Sequence, residues 1–313
     1  MARRAALAVV LAGLLAWSGC DERRGRAGPA IRAETVATLA FDDGAGPTAL
    51  AELSDGRLVV GERRTGRILA FTGALDAAPE VLAVVDVDPQ ARGQRGLLGL
   101  ATIGRSLFAS WTRAGDGRLV VGLVRPGPTV VIWEGPVSSD LANGGHLAVA
   151  ADDRLVVGIG DLRRPELIDD PASLNGKVLS LDPDGPLDQR PLVLSGGWNN
   201  PFALTVADGT VWVADNAPGR RPERIGRAEV GRSPVDLPGR RAPSALVSLG
   251  ANRLGLCGFL DGDLVEVDVT GPPSIGATVV KAICRTGALA LADGSLAVSD
   301  GTTVRVIRVV VTE

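Results

Sequence analysis

The chain has 313 residues, 45% of them hydrophobic, and a formal charge of −3. The apolar fraction allows a large buried core, and the near-balanced charge leaves no basic face to neutralise phosphates, so no nucleic-acid partner is expected. One His (His146) and three Cys exclude a multi-histidine metal site and an all-cysteine tetrahedral zinc site, while 41 Gly and 20 Pro point to short strands and many turns.

In chain order, the first element is a leader. Arg3 and Arg4 form a basic start, residues 5–17 form an apolar run too short for a stable membrane span, and Ser18-Gly19-Cys20 supplies small residues before a cysteine. Residues 1–20 read as a lipoprotein signal peptide whose lipobox cysteine, Cys20, becomes the lipid-bearing N-terminus. The competing reading is a plain secretory signal with an incidental Cys. Residues 21–33 are charged and lack apolar periodicity, as a flexible tether would be. The expected location is the periplasmic side of a bacterial cell envelope, with the membrane reached through the N-terminal lipid.

From residue 34 to 313 one unit recurs. A small turn with Asp, Asn or Gly precedes Leu or Val and an alternating apolar strand: Ser54-Asp55-Gly56-Arg57-Leu58, Gly104-Arg105-Ser106-Leu107 and Asp152-Asp153-Arg154-Leu155. Further copies are Asp208-Gly209-Thr210-Val211, Ala251-Asn252-Arg253-Leu254 and Asp293-Gly294-Ser295-Leu296. The spacing, roughly 40–55 residues, is that of propeller blades. Asp-Gly accepts the positive φ of a tight hairpin, and the alternation behind it gives each strand a buried face. The pattern predicts an all-β, six-bladed β-propeller of four-stranded antiparallel blades. A seventh, degenerate blade near 113–133 is the alternative to reading Asp116-Gly117 as a hairpin inside the second blade.

Several segments go further. Pro47-Thr48-Ala49-Leu50 with Ser54 to Arg63, Gly93-Gln94-Arg95-Gly96-Leu97-Leu98-Gly99-Leu100, Asn143-Gly144-Gly145-His146-Leu147 and Gly158-Ile159-Gly160-Asp161 occur in order. Gly176-Lys177-Val178-Leu179-Ser180-Leu181-Asp182-Pro183-Asp184-Gly185 and Asn199-Asn200-Pro201-Phe202 follow. Together they resemble the PQQ-dependent glucose/sorbosone (soluble aldose sugar) dehydrogenases. The resemblance implies PQQ and calcium as cofactors and a small-molecule sugar as substrate, with no indication of the electron acceptor. It places Gln94 and Asn200 at the cofactor and substrate, with Arg285 and Lys281 near the PQQ carboxylates. Asp161 falls at the carboxylate that orients the base, and Ala217, Pro218 and Glu223 in a calcium-binding loop.

Two positions depart from the family pattern: its catalytic His is Ala142, and the Arg of its Arg-Asn-Pro is Asn199. His146, the one remaining imidazole, is either a relocated base or a residue lining the channel. The expected activity is therefore oxidation of a sugar or aldose at a rearranged, weakened site. The alternatives are a non-catalytic ligand-binding or interaction propeller and, less favoured, a calcium-dependent lactonase-type hydrolase. Arg220-Arg221 and Arg240-Arg241 read as solvated loop charges, and the major tryptophans as packing between blades. Cys257 and Cys284 are either one disulfide or two buried thiols.

Overall fold

Short strands with two apolar faces cannot stand alone in water, and this chain stacks them into a ring. The structure, a computed structural model, describes residues 30–312 except 73, 74, 76 and 91. Among these residues the strands form six four-stranded antiparallel sheets. Each turn of the sequence repeat joins the first and second strands of one sheet. In the first blade, for instance, residues 53–57 connect Pro47–Glu52 to Leu58–Glu62. Asp116-Gly117 joins Ser106–Thr112 to Arg118–Val124 within the second blade, so the blade count is six and not seven. At Asp208-Gly209 both residues have positive φ, 48° and 71°, as a two-residue hairpin of right-handed twist requires.

The hydrophobic core is divided into six wedges, one between each pair of neighbouring blades. This explains why apolar residues sit at consecutive positions. In Leu58-Val59-Val60, Val59 enters the wedge shared with the second blade, while Leu58 and Val60 enter the wedge shared with the sixth. Fully burying one such side chain contributes roughly 1.5–3 kcal/mol. Trp111, Trp133, Trp198 and Trp212 occupy four different wedges, the packing role expected of them. The innermost strands of all six blades surround a central channel.

The ring closes through its ends. Strand Ala30–Ala40 pairs antiparallel with Thr303–Thr312 and so becomes the outer strand of the last blade. That strand starts inside the segment read as a tether. Cys20 and the rest of the leader lie outside the described residues. Among those described, no helix is long and apolar enough to cross a membrane.

Cys257 and Cys284 form a disulfide, with Cα atoms 5.3 Å apart and a sequence separation of 27. It ties the second strand of blade five to the segment entering blade six, inside a wedge with no exposure of either residue. Replacing both cysteines by Ser is expected to lower the unfolding free energy by about 2–4 kcal/mol. Urea denaturation of wild type and double variant measures this directly, and equal midpoints would show that the bond contributes nothing.

Candidate functional site

At the end of the ring where the innermost strands begin (the upper face), the sheets are irregular. Pairing of the first two strands skips Thr48 in blade one, Leu98 in blade two and Ser244 in blade five. A bulge leaves a residue outside the ladder and re-aims its side chain. All three bulged residues line one cavity of about 390 Å³ on the channel axis. The wall is largely apolar, with Leu98 from blade two, Phe202 before the first strand of blade four, and Ala242, Pro243 and Phe259 from blade five.

Two cations share this cavity. Burial, and the neighbouring Arg64, lower the pKa of Arg63, whose guanidinium donates to the Gly93 carbonyl. Arg285 donates from Nη1 to the carbonyls of Phe259 at 2.8 Å and Leu260 at 3.1 Å. Among the described residues neither arginine has a carboxylate within ion-pair distance. Asp300, the cavity's one carboxylate among the described lining residues, is already engaged. It accepts from the backbone and side chains of Thr302 and Thr303 and from Arg305.

Gln94 and Asn200 also line the cavity, as the sequence suggested, but both hold backbone. Gln94 Oε1 accepts from the Ala142 N–H at 2.7 Å and from Asn200 Nδ2 at 3.4 Å. Asn200 Oδ1 accepts from the Gly144 N–H at 3.0 Å. Lys281 is exposed and outside the lining, so of the two late cations Arg285 alone reaches the cavity.

Asp161 and His146 are not brought together. The Asp161 carboxylate accepts from the Arg163 N–H at 2.8 Å, and its own N–H donates to the Asn199 carbonyl at 2.6 Å. Burial raises its pKa, and the nearby Asp215 carboxylate adds to this. His146 lies in the wall of the lower channel, its ring edge-on to Phe202 with centroids 5.8 Å apart. Its Nδ1 has no hydrogen-bond partner, and burial pushes its pKa down to about 4. Phe202 belongs to the upper cavity and His146 to the channel beneath, so the imidazole does not stand where the missing base would act. The position of that base, Ala142, has φ 58° and is held by Gln94.

The loop 216–223, expected to bind calcium, is occupied by an arginine from the next crossing segment. Arg240 donates to the Ala217 carbonyl at 2.8 Å and to the Gly219 carbonyl, and it lies 3.8 Å from Glu223. Both Glu223 oxygens accept backbone N–H groups, from Arg241 at 2.8 Å and Ala242 at 2.9 Å. The Pro218 carbonyl accepts from the Arg221 N–H at 3.3 Å. With the guanidinium in place these acceptors are taken and the site is not open to a calcium ion, which needs six to eight oxygens from protein or water. Arg221 Nη1 donates to Asn199 Oδ1 at 3.2 Å, and Arg241 pairs with Asp261. Arg221 and Arg240 are exposed, as loop charges would be, yet each also holds loop atoms, and the half-buried Arg241 is paired. The sequence did carry a signal, Pro-Gly-Arg-Arg at both 218–221 and 238–241.

Comparison with known proteins agrees with this fold. A family model described as Glucose / Sorbosone dehydrogenase matches residues 45–223. A putative oxidoreductase (glucose dehydrogenase) from Thermus thermophilus superposes with a TM-score of 0.74 at 26% identity, covering 90% of this chain and 100% of that one. The PQQ-bound aldose sugar dehydrogenase of Streptomyces coelicolor gives a TM-score of 0.71 at 22% identity, over 91% of this chain and 100% of its own. The apo soluble aldose sugar dehydrogenase of Escherichia coli gives 0.71 at 17%, over 90% and 99%. No curated protein matches.

The buried imidazole makes stability depend on pH. An unfolded chain protonates His146 near 6.5, the native state only near 4. As pH falls through that window the unfolded state binds the proton first, so native stability drops by on the order of 3 kcal/mol. His146→Leu is expected to remove this component. Urea unfolding of both proteins at about pH 7 and about pH 4.5 measures it; a wild-type-to-variant difference that stays constant between the two would refute it.

Proposed function

We propose, for a chain that belongs to the glucose/sorbosone dehydrogenase family, that the upper cavity binds a planar, multiply anionic quinone of the PQQ class and supports sugar oxidation only weakly. One observation carries this reading: two guanidinium groups without carboxylate partners face one apolar-walled cavity. A flat ring with several carboxylates suits such a site, because the apolar wall takes its faces and charge-assisted hydrogen bonds take its edges. When bound, such a quinone supplies the two-electron acceptor for oxidation of a sugar hydroxyl. Arg63 and Arg285 would hold its carboxylates, while Leu98, Phe202 and Phe259 would exclude water.

What the described lining of the cavity lacks is a free proton acceptor. Ala142 has no titratable group, Asp300 is filled with donors, and His146 lies below Phe202. General-base catalysis contributes typically 10²–10⁴-fold, so its loss leaves binding with slow turnover. The second reading, a propeller that binds a ligand or partner without chemistry, draws on the same deficit.

Calorimetric titration of the purified protein with PQQ is expected to show micromolar or tighter binding. Arg63→Ala and Arg285→Ala should each weaken it by about tenfold or more. Ala142→His, at a left-handed backbone position that His tolerates better than most residues, should raise sugar-dependent dye reduction. Absence of PQQ binding to folded protein would leave the interaction propeller as the reading.

We also propose that the mature protein is lipid-anchored at Cys20 on the periplasmic side of a bacterial membrane. The leader pattern motivates this, and the Cys257–Cys284 disulfide is at home in an oxidising compartment. Cys20→Ala is expected to move the protein from the membrane to the soluble fraction; retention on the membrane would refute the anchor.

A further inference from the structure

We infer that Arg240 is a built-in cation which takes the place of a metal ion, so that the loop at one edge of the upper cavity is organised without calcium. The argument starts from the acceptors. The carbonyls of Ala217, Gly219 and Arg221 and the Glu223 carboxylate all approach one side-chain head, divided between its two terminal nitrogens. Glu223 is 1% exposed there, so its charge needs a compensating cation. Carbonyl oxygens and a carboxylate are the donor set of a hard divalent cation.

In this chain that head is a guanidinium. Arg240 Nη2 reaches the Ala217 carbonyl at 2.8 Å and Glu223 at 3.8 Å, and Nη1 reaches the carbonyls of Gly219 and, at 3.4 Å, Arg221. A planar fork with fixed donors suits several carbonyls at once, which a lysine ammonium would not reproduce. No other metal-like cluster competes: among the described residues no group of three or more His, Cys, Asp or Glu could hold an ion. A calcium ion arriving at the cage would meet a positive charge and two carboxylate oxygens already committed to backbone N–H groups.

The loop matters because Asn216, at its start, lines the upper cavity. Arg240 thus fixes part of the cavity wall, whether or not the cavity takes a quinone. The side chain is 43% exposed, so the cage opens to solvent once the guanidinium is removed.

The test is thermal unfolding of the purified protein in EDTA and in millimolar calcium chloride, for wild type and Arg240→Ala. Wild type is expected to unfold at the same temperature in both, with no calcium binding by calorimetry. Arg240→Ala is expected to unfold several degrees lower in EDTA and to recover part of the loss in calcium, as a vacated cation site would. A wild-type midpoint that rises with calcium and falls in EDTA overturns the proposal. So does an Arg240→Ala protein that calcium fails to stabilise. If that variant does not fold, the wild-type chelation and calcium-binding measurements decide alone.

Discussion

Where the chain passes from one blade to the next, it carries several backbone N–H groups into buried positions at the upper face. Those donors must find acceptors within the protein, and the sequence supplies them at the ends of second strands and in the loops beyond. Asp215 is the fullest case. Completely buried, it accepts from the Asn199 N–H at 2.9 and 3.1 Å, the Asn200 N–H at 2.7 Å and Arg224 at 2.5 Å. Arg224 in turn lies over the Trp198 ring, whose Nε1 donates to Ser195. Thr112 does the same for the Gly96 N–H at 2.7 Å, and Glu223 for Arg241 and Ala242. A buried charge left without its partner costs about 3–5 kcal/mol, so these contacts fix where each innermost strand begins.

The cavity follows from that fixing. Once the strand starts are pinned, the bulges at Thr48, Leu98 and Ser244 turn side chains onto the axis, and the crossing segments bring Gln94 and Asn200 together. Most polar groups at the upper face are then spent on backbone. The two arginines facing the cavity keep their charge uncompensated by carboxylates. Binding capacity and catalytic capacity are thereby separated. The cations that would hold an anion survive, while the acidic and basic side chains that would move a proton are tied into the scaffold or absent.

The fold was legible because its determinants are local. Asp-Gly turns and consecutive Leu-Val-Val runs each state their own conformation, and the ring repeats them. Asn143-Gly144-Gly145 was also legible as a motif, and packing explains it: a Cβ on Gly144 would run into the Gly158 carbonyl, and one on Gly145 into Leu98. The site was harder to read. His146 sits in a stretch where pairing loses register between Gly144 and Leu147, so strand alternation could not say which way it turns. In the sequence Arg240 and Arg221 read as solvent-facing charges because Arg240's partners lie 17 to 23 residues away and Arg221's lies 22 away. Only the convergence of two loops shows that, although exposed, they also hold loop atoms.

The closing strand has a consequence for how the protein is made. Ala30–Ala40 leaves the ribosome well before its partner, Thr303–Thr312, the last of the described strands in chain order. Throughout translation the first strand remains an unpaired edge, and the wedge between the last and first blades has only one wall. A prematurely terminated chain can never complete the ring and keeps that apolar wall open to water. The presence of both closing strands is thus written into the topology as a condition of folding, and products truncated before the second present the exposed surface that chaperones and proteases recognise.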